Sequence, residues 1–268
     1  MKKTAHAWVL AGLVGMPTFA IADEPASPHT LTANVGLTSN YVFRGISQTQ
    51  GEPAIQGGLD YSHASGFYLG TWGSNVGWLT DFQGYKSGSM ELDIYGGYRN
   101  AIGPVSYDVG AIRYMYPGSK NNTDPANTTL PGAWTSEAYA SVGWKWFTAK
   151  YSYYLSDSVF GVGPNANGSG YLDLSASLPV ADTGLTLGAH WGSFNFKNDT
   201  TYSPAVTPDY KDWKVSATYD LGKLAKQTSG MNLGVAYSDT DAEKAFWHDA
   251  SGRYLGKATT TVWISKTF

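Results

Sequence analysis

The chain carries five histidines and no cysteine, and that bounds its chemistry. Without cysteine there is no thiolate nucleophile, no disulfide framework and no zinc site of the Cys type. His190 is the histidine placed best for acid–base work. It sits on the polar side of an alternating segment, and the neighbouring segments carry Asp173 and Asp212 on theirs. A histidine among carboxylates can shuttle a proton. The same grouping is also the common way to satisfy an enclosed imidazole, and that is the expectation here. His63 falls at a short turn, and His248, beside Asp249, in a long loop. Gly168-Ser169-Gly170 is not followed by the helix that a nucleophile elbow requires. No phosphate loop, dinucleotide fingerprint or EF-hand loop is present. An enzyme is therefore not expected, and no catalytic residue, cofactor or metal ligand is assigned.

The remaining charged side chains form a different pattern. Asp60, Glu91, Asp93, Asp108, Glu137, Asp173 and Asp212 fall on the polar faces of successive segments, as do Arg44, Arg99, Lys145, Lys150 and Lys214. Charges of both signs on enclosed faces must pair or stay hydrated. If those faces wall a channel, these twelve residues and His190 are its expected lining, and rings of charge set its selectivity. Gly97, Gly143, Gly188, Gly192 and Gly234 on the same faces are expected to widen the lumen. Tyr95, Tyr139, Tyr154 and Tyr171 are expected to narrow it. Arg44 stands where the first extended segment meets a long loop. It could steer anions at a mouth; the plainer reading is a rim arginine paired with a carboxylate or a lipopolysaccharide phosphate.

Such faces need strands to hold them. After residue 30 no segment keeps a helical period of apolar residues, whereas period-two alternation recurs throughout. Leu172, Leu174, Ala176 and Leu178 alternate with Tyr171, Asp173, Ser175 and Ser177. About twelve strands of roughly ten residues result, near 31–45, 54–63, 67–76, 89–101, 105–116, 135–146, 147–156, 169–178, 185–196, 211–220, 231–240 and 257–268. Segment 67–76 has apolar groups on both sides, so its orientation stays open. Arg113 falls in phase with Val109 and Ala111, which a rim position or a bulge would explain. The connections alternate between long ones (46–53, 77–88, 117–134, 157–168, 197–210, 241–256) and short turns, with 221–230 an exception.

A net charge of −3 leaves no basic footprint for nucleic acid, and 15% aromatic content argues against disorder. A mean hydropathy of −0.26 excludes a helical membrane bundle but not a membrane barrel, whose strands are half polar. Lys2 and Lys3, the apolar stretch 5–20 and Ala20-Ile21-Ala22 read as a signal peptide over 1–22, leaving one domain over 23–268. The sequons at Asn122, Asn127, Asn167 and Asn198 read as chance products of Asn-rich loops. Thr260, Val262, Ile264 and the terminal Phe268 share one face of the last strand, like the assembly signal of outer-membrane barrels. Trp144, Trp146 and Phe147 flank a short turn and are expected in a periplasmic aromatic girdle, with Tyr98, Tyr219 and Phe268 at similar depth. An exported all-β chain with alternating loops fits an antiparallel transmembrane up-and-down barrel in a Gram-negative outer membrane.

The segment LTSNYVFRGISQT (37–49) resembles the first strand and loop of the TorF family of porins, also catalogued as a conserved hypothetical family. GFYLGTWGSNV (66–76), ELDIYGGY (91–98) and SEAYASVGWKWFTAKYSYYLSD (136–157) resemble its later blocks, in order. The resemblance covers essentially the whole mature chain, with Ser-Asn-Tyr-x-x-Arg-Gly at 39–45 its most specific part, and it implies an outer-membrane barrel classed as a porin. The expected function is passive diffusion of small hydrophilic solutes or ions through a narrow lumen. The competing readings are a non-conducting scaffold whose long loops bind or adhere, and a soluble secreted β-protein. Expected partners are outer-membrane lipid and lipopolysaccharide, the barrel assembly machinery through Phe268, and small solutes; nucleic acid is not one.

Overall fold

A computed structural model describes residues 27–81, 83–120, 132–197 and 206–268. The signal segment and the sequons at Asn122, Asn127 and Asn198 lie outside the described residues. Twelve antiparallel strands close into a barrel: β1 (His29–Thr38), β2 (Ala54–His63), β3 (Phe67–Asn75), β4 (Met90–Ile102), β5 (Val105–Met115), β6 (Thr135–Trp144), β7 (Phe147–Tyr154), β8 (Gly170–Pro179), β9 (Leu185–Asn195), β10 (Tyr210–Asp220), β11 (Met231–Thr240) and β12 (Thr259–Thr267). Each strand pairs with its sequence neighbours, and β1 closes on β12 through Leu37 opposite Ile264. Closure leaves no unpaired sheet edge, the condition a strand protein must meet in hydrocarbon. No helix among the described residues is long and apolar enough to cross a membrane.

Alternation decides which way each side chain points. Leu31, Val35 and Leu37 of β1, Val109 of β5, Leu174 of β8, Trp191 of β9, Val215 of β10 and Val262 of β12 are all exposed on the outer surface. The inward neighbours include Glu91, Asp93, Glu137, Asp173 and Asp212, all buried. An apolar exterior around a charged interior inverts the plan of a soluble sandwich. In β3 the open orientation is settled: Phe67 and Leu69 face out, Tyr68 and Trp72 face in. Arg113 lies near the end of β5 on the outer face, donating to Ser136 Oγ at 2.7 Å with its guanidinium 5.5 Å from the Trp134 ring. Its pairing with β4 and β6 is regular, so the rim position is the explanation and no bulge is needed.

Short turns gather at one end, together with the start of β1 and the C-terminal Phe268. The ten residues 221–230 are compact because they wind into 3-10 turns at Leu221–Lys223 and Lys226–Thr228. Around this end Phe67, Trp144, Trp146, Phe147 and Phe268 are exposed, and Tyr98 stacks edge-on against Phe67 at 5.1 Å. Tyr219, expected with them, is half-buried near the same end of β10.

Most strand boundaries fall within two residues of expectation, and two of the differences bear on the site. The first strand ends at Thr38, not near residue 45. Residues 39–53 instead turn into the barrel, forming a small hairpin in which Val42–Phe43 pairs with Ile46–Ser47. Strand six ends at Trp144, and Lys145 lies in the turn with a φ of 54°.

Candidate functional site

The inward hairpin builds the centre of the site. Its two-residue turn is Arg44-Gly45, with φ of 47° and 81°, the left-handed pair that tight hairpins require. Glycine is needed at 45 for space as well. A Cβ there would lie 2.4 Å from Thr240 Cγ2 and 2.6 Å from Asp212 Cβ, against the β10–β11 wall. The hairpin is tied down by its backbone: Ser47 N donates to Leu255 O at 3.0 Å, and Gly77 N donates to Gln48 O at 2.9 Å.

Held this way, Arg44 reaches across the lumen. Its Nη2 donates to Glu137 Oε2 at 2.9 Å and to Ser152 Oγ at 3.2 Å, and Nη1 donates to the Tyr154 hydroxyl. The guanidinium lies 4.2 Å from the Tyr171 ring centroid and 4.9 Å from that of Phe43. Glu137 is fully buried, and Lys150 Nζ sits 3.8 Å from its other oxygen. Arg44 is thus paired with a carboxylate, but inside the barrel rather than at its rim. Phe43 wedges between Tyr114 and Phe160, and Phe160 packs on Tyr154 at 5.7 Å. Two apolar clusters of loop and strand residues fill the long-loop half of the lumen.

Three more polar groups surround this centre. On β4, Glu91 accepts from the Tyr41 hydroxyl at 2.7 Å, and Asp93 lies one inward position away. Burial, reinforced by the Glu91 carboxylate, holds the Tyr41 phenol well above its ordinary range, so it remains a donor. Across the barrel, His190 is bracketed by Asp173 at 3.2 Å from Nδ1 and Asp212 at 2.9 Å from Nε2. Tyr171 donates to Asp212 at 2.8 Å, and Ser175 to Asp173 at 2.5 Å. Both ring nitrogens face carboxylates, and the Ser175 hydroxyl is already committed to Asp173. The Ser175 oxygen also lies 3.3 Å from His190 Nδ1. Toward the short-turn end, Tyr95 donates to Asp60 at 2.5 Å, Tyr68 to Asp108 at 2.7 Å, and the Arg99 guanidinium lies 4.8 Å from the Tyr68 ring.

Of the charged residues expected inside, Arg44, Asp60, Glu91, Asp93, Arg99, Asp108, Glu137, Lys150, Asp173, His190, Asp212 and Lys214 all lie on inward positions. Lys214 follows Asp212 on the inner face of β10 and keeps exposed surface. Lys145 is the exception. It stands in the β6–β7 turn, exposed, with its ammonium 4.4 Å from the Trp144 ring, because the chain reverses there without a Gly, Pro or Asn to mark the turn. Sequence reasoning also missed Tyr41, Phe43 and Phe160, all on segments read as strand end or loop. The Arg44-Gly45 pair between Phe43 and Ile46 was the available hairpin signal.

The expected roles of glycine and tyrosine also change. A Cβ on Gly70 would meet the Tyr95 ring at 2.5 Å, and one on Gly97 the Tyr68 hydroxyl at 2.6 Å. Gly110 faces the Tyr139 hydroxyl at 2.6 Å, Gly192 the Tyr171 hydroxyl at 2.0 Å, and Gly234 the Trp263 ring at 2.1 Å. These glycines do not widen the lumen, because a ring lies in the space each leaves. Tyr95, Tyr139 and Tyr171 accordingly lie along the wall instead of projecting from it. Gly70→Ala should push the Tyr95 ring off the wall and break its bond to Asp60. The expected cost is about 1–3 kcal/mol of overpacking, with a lower single-channel conductance; an unchanged conductance would mean that the ring does not enter the lumen.

A family model described as a bacterial protein of unknown function, Gcw_chp, matches residues 22–268. No curated protein matches the chain. Among solved structures, a KdgM porin is similar with a TM-score of 0.50 at 9% identity, covering 89% of this chain and 99% of the porin. A KdgM porin in complex with disordered oligogalacturonate gives 0.51 at 9% identity with the same coverage. A NanC porin gives 0.50 at 10% identity, again over 89% of this chain and 99% of the other. At these identities the likeness is one of fold.

Proposed function

The chain belongs to the Gcw_chp family of bacterial proteins of unknown function, and from this premise we propose that it is an outer-membrane porin passing small hydrophilic solutes or ions through a constricted lumen. The observation that carries the reading is the charged interior inside an apolar exterior, with Arg44 and Glu137 paired inside the barrel. A barrel that served only as a scaffold has no need of charged or titratable groups on the inner faces of β2 and of β4 through β10, each of which costs desolvation. The long-loop scaffold alternative has no comparable support. The mixed charge of the inner face and the exposure of Lys214 favour a hydrated path.

On this reading the protein is not an enzyme. Residues 1–22 direct export from a Gram-negative cytoplasm, Phe268 is presented to the assembly machinery, and the outer face meets lipid and lipopolysaccharide. The resemblance of 39–45 to the TorF porins belongs to the same reading, and that block is the inward hairpin. Purified protein should migrate anomalously on a denaturing gel when unboiled and should add discrete conductance steps to a planar lipid bilayer. Folded protein that adds no conductance would overturn the channel and leave the barrel.

A further inference from the structure

A cavity of about 270 Å³ opens at the long-loop end, on the seam where β1 and β12 meet, between the loops that follow β1 and β11. Its lining includes Ser39, Asn40, Gln50, Arg253, Lys257 and Thr260, and no carboxylate. Hydroxyl and amide groups with two cations form a donor-rich wall suited to an anion with several acceptor oxygens. Arg253 is anchored at one side, donating to Gln50 O with its Nε 3.7 Å from Asp249 Oδ2, yet its side chain stays 46% exposed. Lys257 is exposed and has no ion-pair partner among the described residues. The position of the cavity on the strand seam narrows the choice of ligand. Thr260 shares the outward face of β12 with Val262 and Ile264, the face read as meeting lipid. With Thr259 on the inward face also lining it, the cavity lies at the long-loop end of the seam, next to the apolar band.

We propose that this cavity binds the phosphate-bearing saccharide headgroup of an outer-leaflet glycolipid. Arg253 and Lys257 take the phosphate, and Ser39, Asn40 and Thr260 meet the sugar hydroxyls. The site rests on the outer-membrane reading of the barrel but not on conduction. Basic pockets at the membrane boundary hold anionic headgroups in this way.

The test uses the full mature chain in mixed micelles, with binding followed by native mass spectrometry. The probes are diphosphoryl lipid A, the same lipid with its phosphates removed, and inorganic phosphate. Diphosphoryl lipid A should bind and its dephosphorylated form should bind far more weakly. Lys257→Glu should weaken the first by about tenfold or more, the scale of one charge-assisted contact. Arg253→Lys, which keeps the charge, should weaken it less. Equal binding of both lipids, an unchanged Lys257→Glu variant, or inorganic phosphate binding as tightly as the lipid would each overturn the proposal. The unboiled gel migration of the same samples is the control. A normal barrel shift with no phosphate dependence rejects the site alone, whereas wild-type protein with no shift rejects the barrel reading beneath it.

Discussion

Arg44→Ala should raise the single-channel conductance several-fold while leaving the barrel folded. The guanidinium is the partner of Glu137 at 2.9 Å, and Glu137 has no exposed surface. Removing it leaves a buried carboxylate with Lys150 at 3.8 Å as its remaining cation. Breaking one side of an enclosed pair costs about 3–5 kcal/mol. The wall cannot relax to relieve this, because the twelve strands close on one another. The hairpin can: Val42–Phe43 and Ile46–Ser47 make one short pairing, and their anchoring bonds run to other loops. The cost should therefore appear as withdrawal of residues 39–53 and a wider path. Adding Glu137→Gln to Arg44→Ala removes the stranded charge, so the double variant should conduct less than Arg44→Ala alone. A conductance for Arg44→Ala equal to that of the native protein would show that the hairpin is not the constriction.

Val215→Arg should abolish assembly, whereas Ser216→Arg, one residue on, should not. Val215 lies near the middle of β10 between Ala189 and Tyr237 and is 49% exposed on the outer face. A cation there meets hydrocarbon, at a cost of about 2–4 kcal/mol near the bilayer midplane, enough to consume much of a marginal stability. The heat-resistant gel species should disappear. Ser216 points inward, with its Oγ 2.4 Å from where a Gly188 Cβ would be. An arginine in that position stands in the lumen, so the folded species should persist while conductance falls and the reversal potential in a salt gradient moves toward anions. Normal folding of Val215→Arg would remove the premise that this surface meets lipid.

The strands were legible because each solves the same problem with the same period. Leu174 and Asp173 must face opposite environments, and only alternation achieves that. Twelve strands and the long–short succession of their connections follow from reading that period outward to its breaks. What period-two reasoning does not see is a segment that leaves the wall and re-enters the interior. Tyr41 and Phe43 continue the apolar rhythm of β1 although the chain has already turned at Ser39, so the first strand is read too long. Arg44 was found as a charge of interest for its sequence position, but its contact with Glu137, 93 residues away, is set by tertiary folding. The Lys145 misplacement has the same origin, a turn with no turn residue. Ring-over-glycine packing was missed because the two partners lie on different strands, so each half is ambiguous alone.

That packing bears on how the cylinder is put together. Gly70 stands directly opposite Tyr95, Gly97 opposite Tyr68, Gly110 opposite Tyr139, and Gly234 opposite Trp263. If β4 slipped along β3 by two positions, Tyr95 would confront Tyr68 or Trp72, and two bulky rings would compete for a notch cut for one. Each such match works as a key that fits a single neighbour in a single alignment. Hairpins coming together during assembly would be sorted by these keys before the cylinder closes.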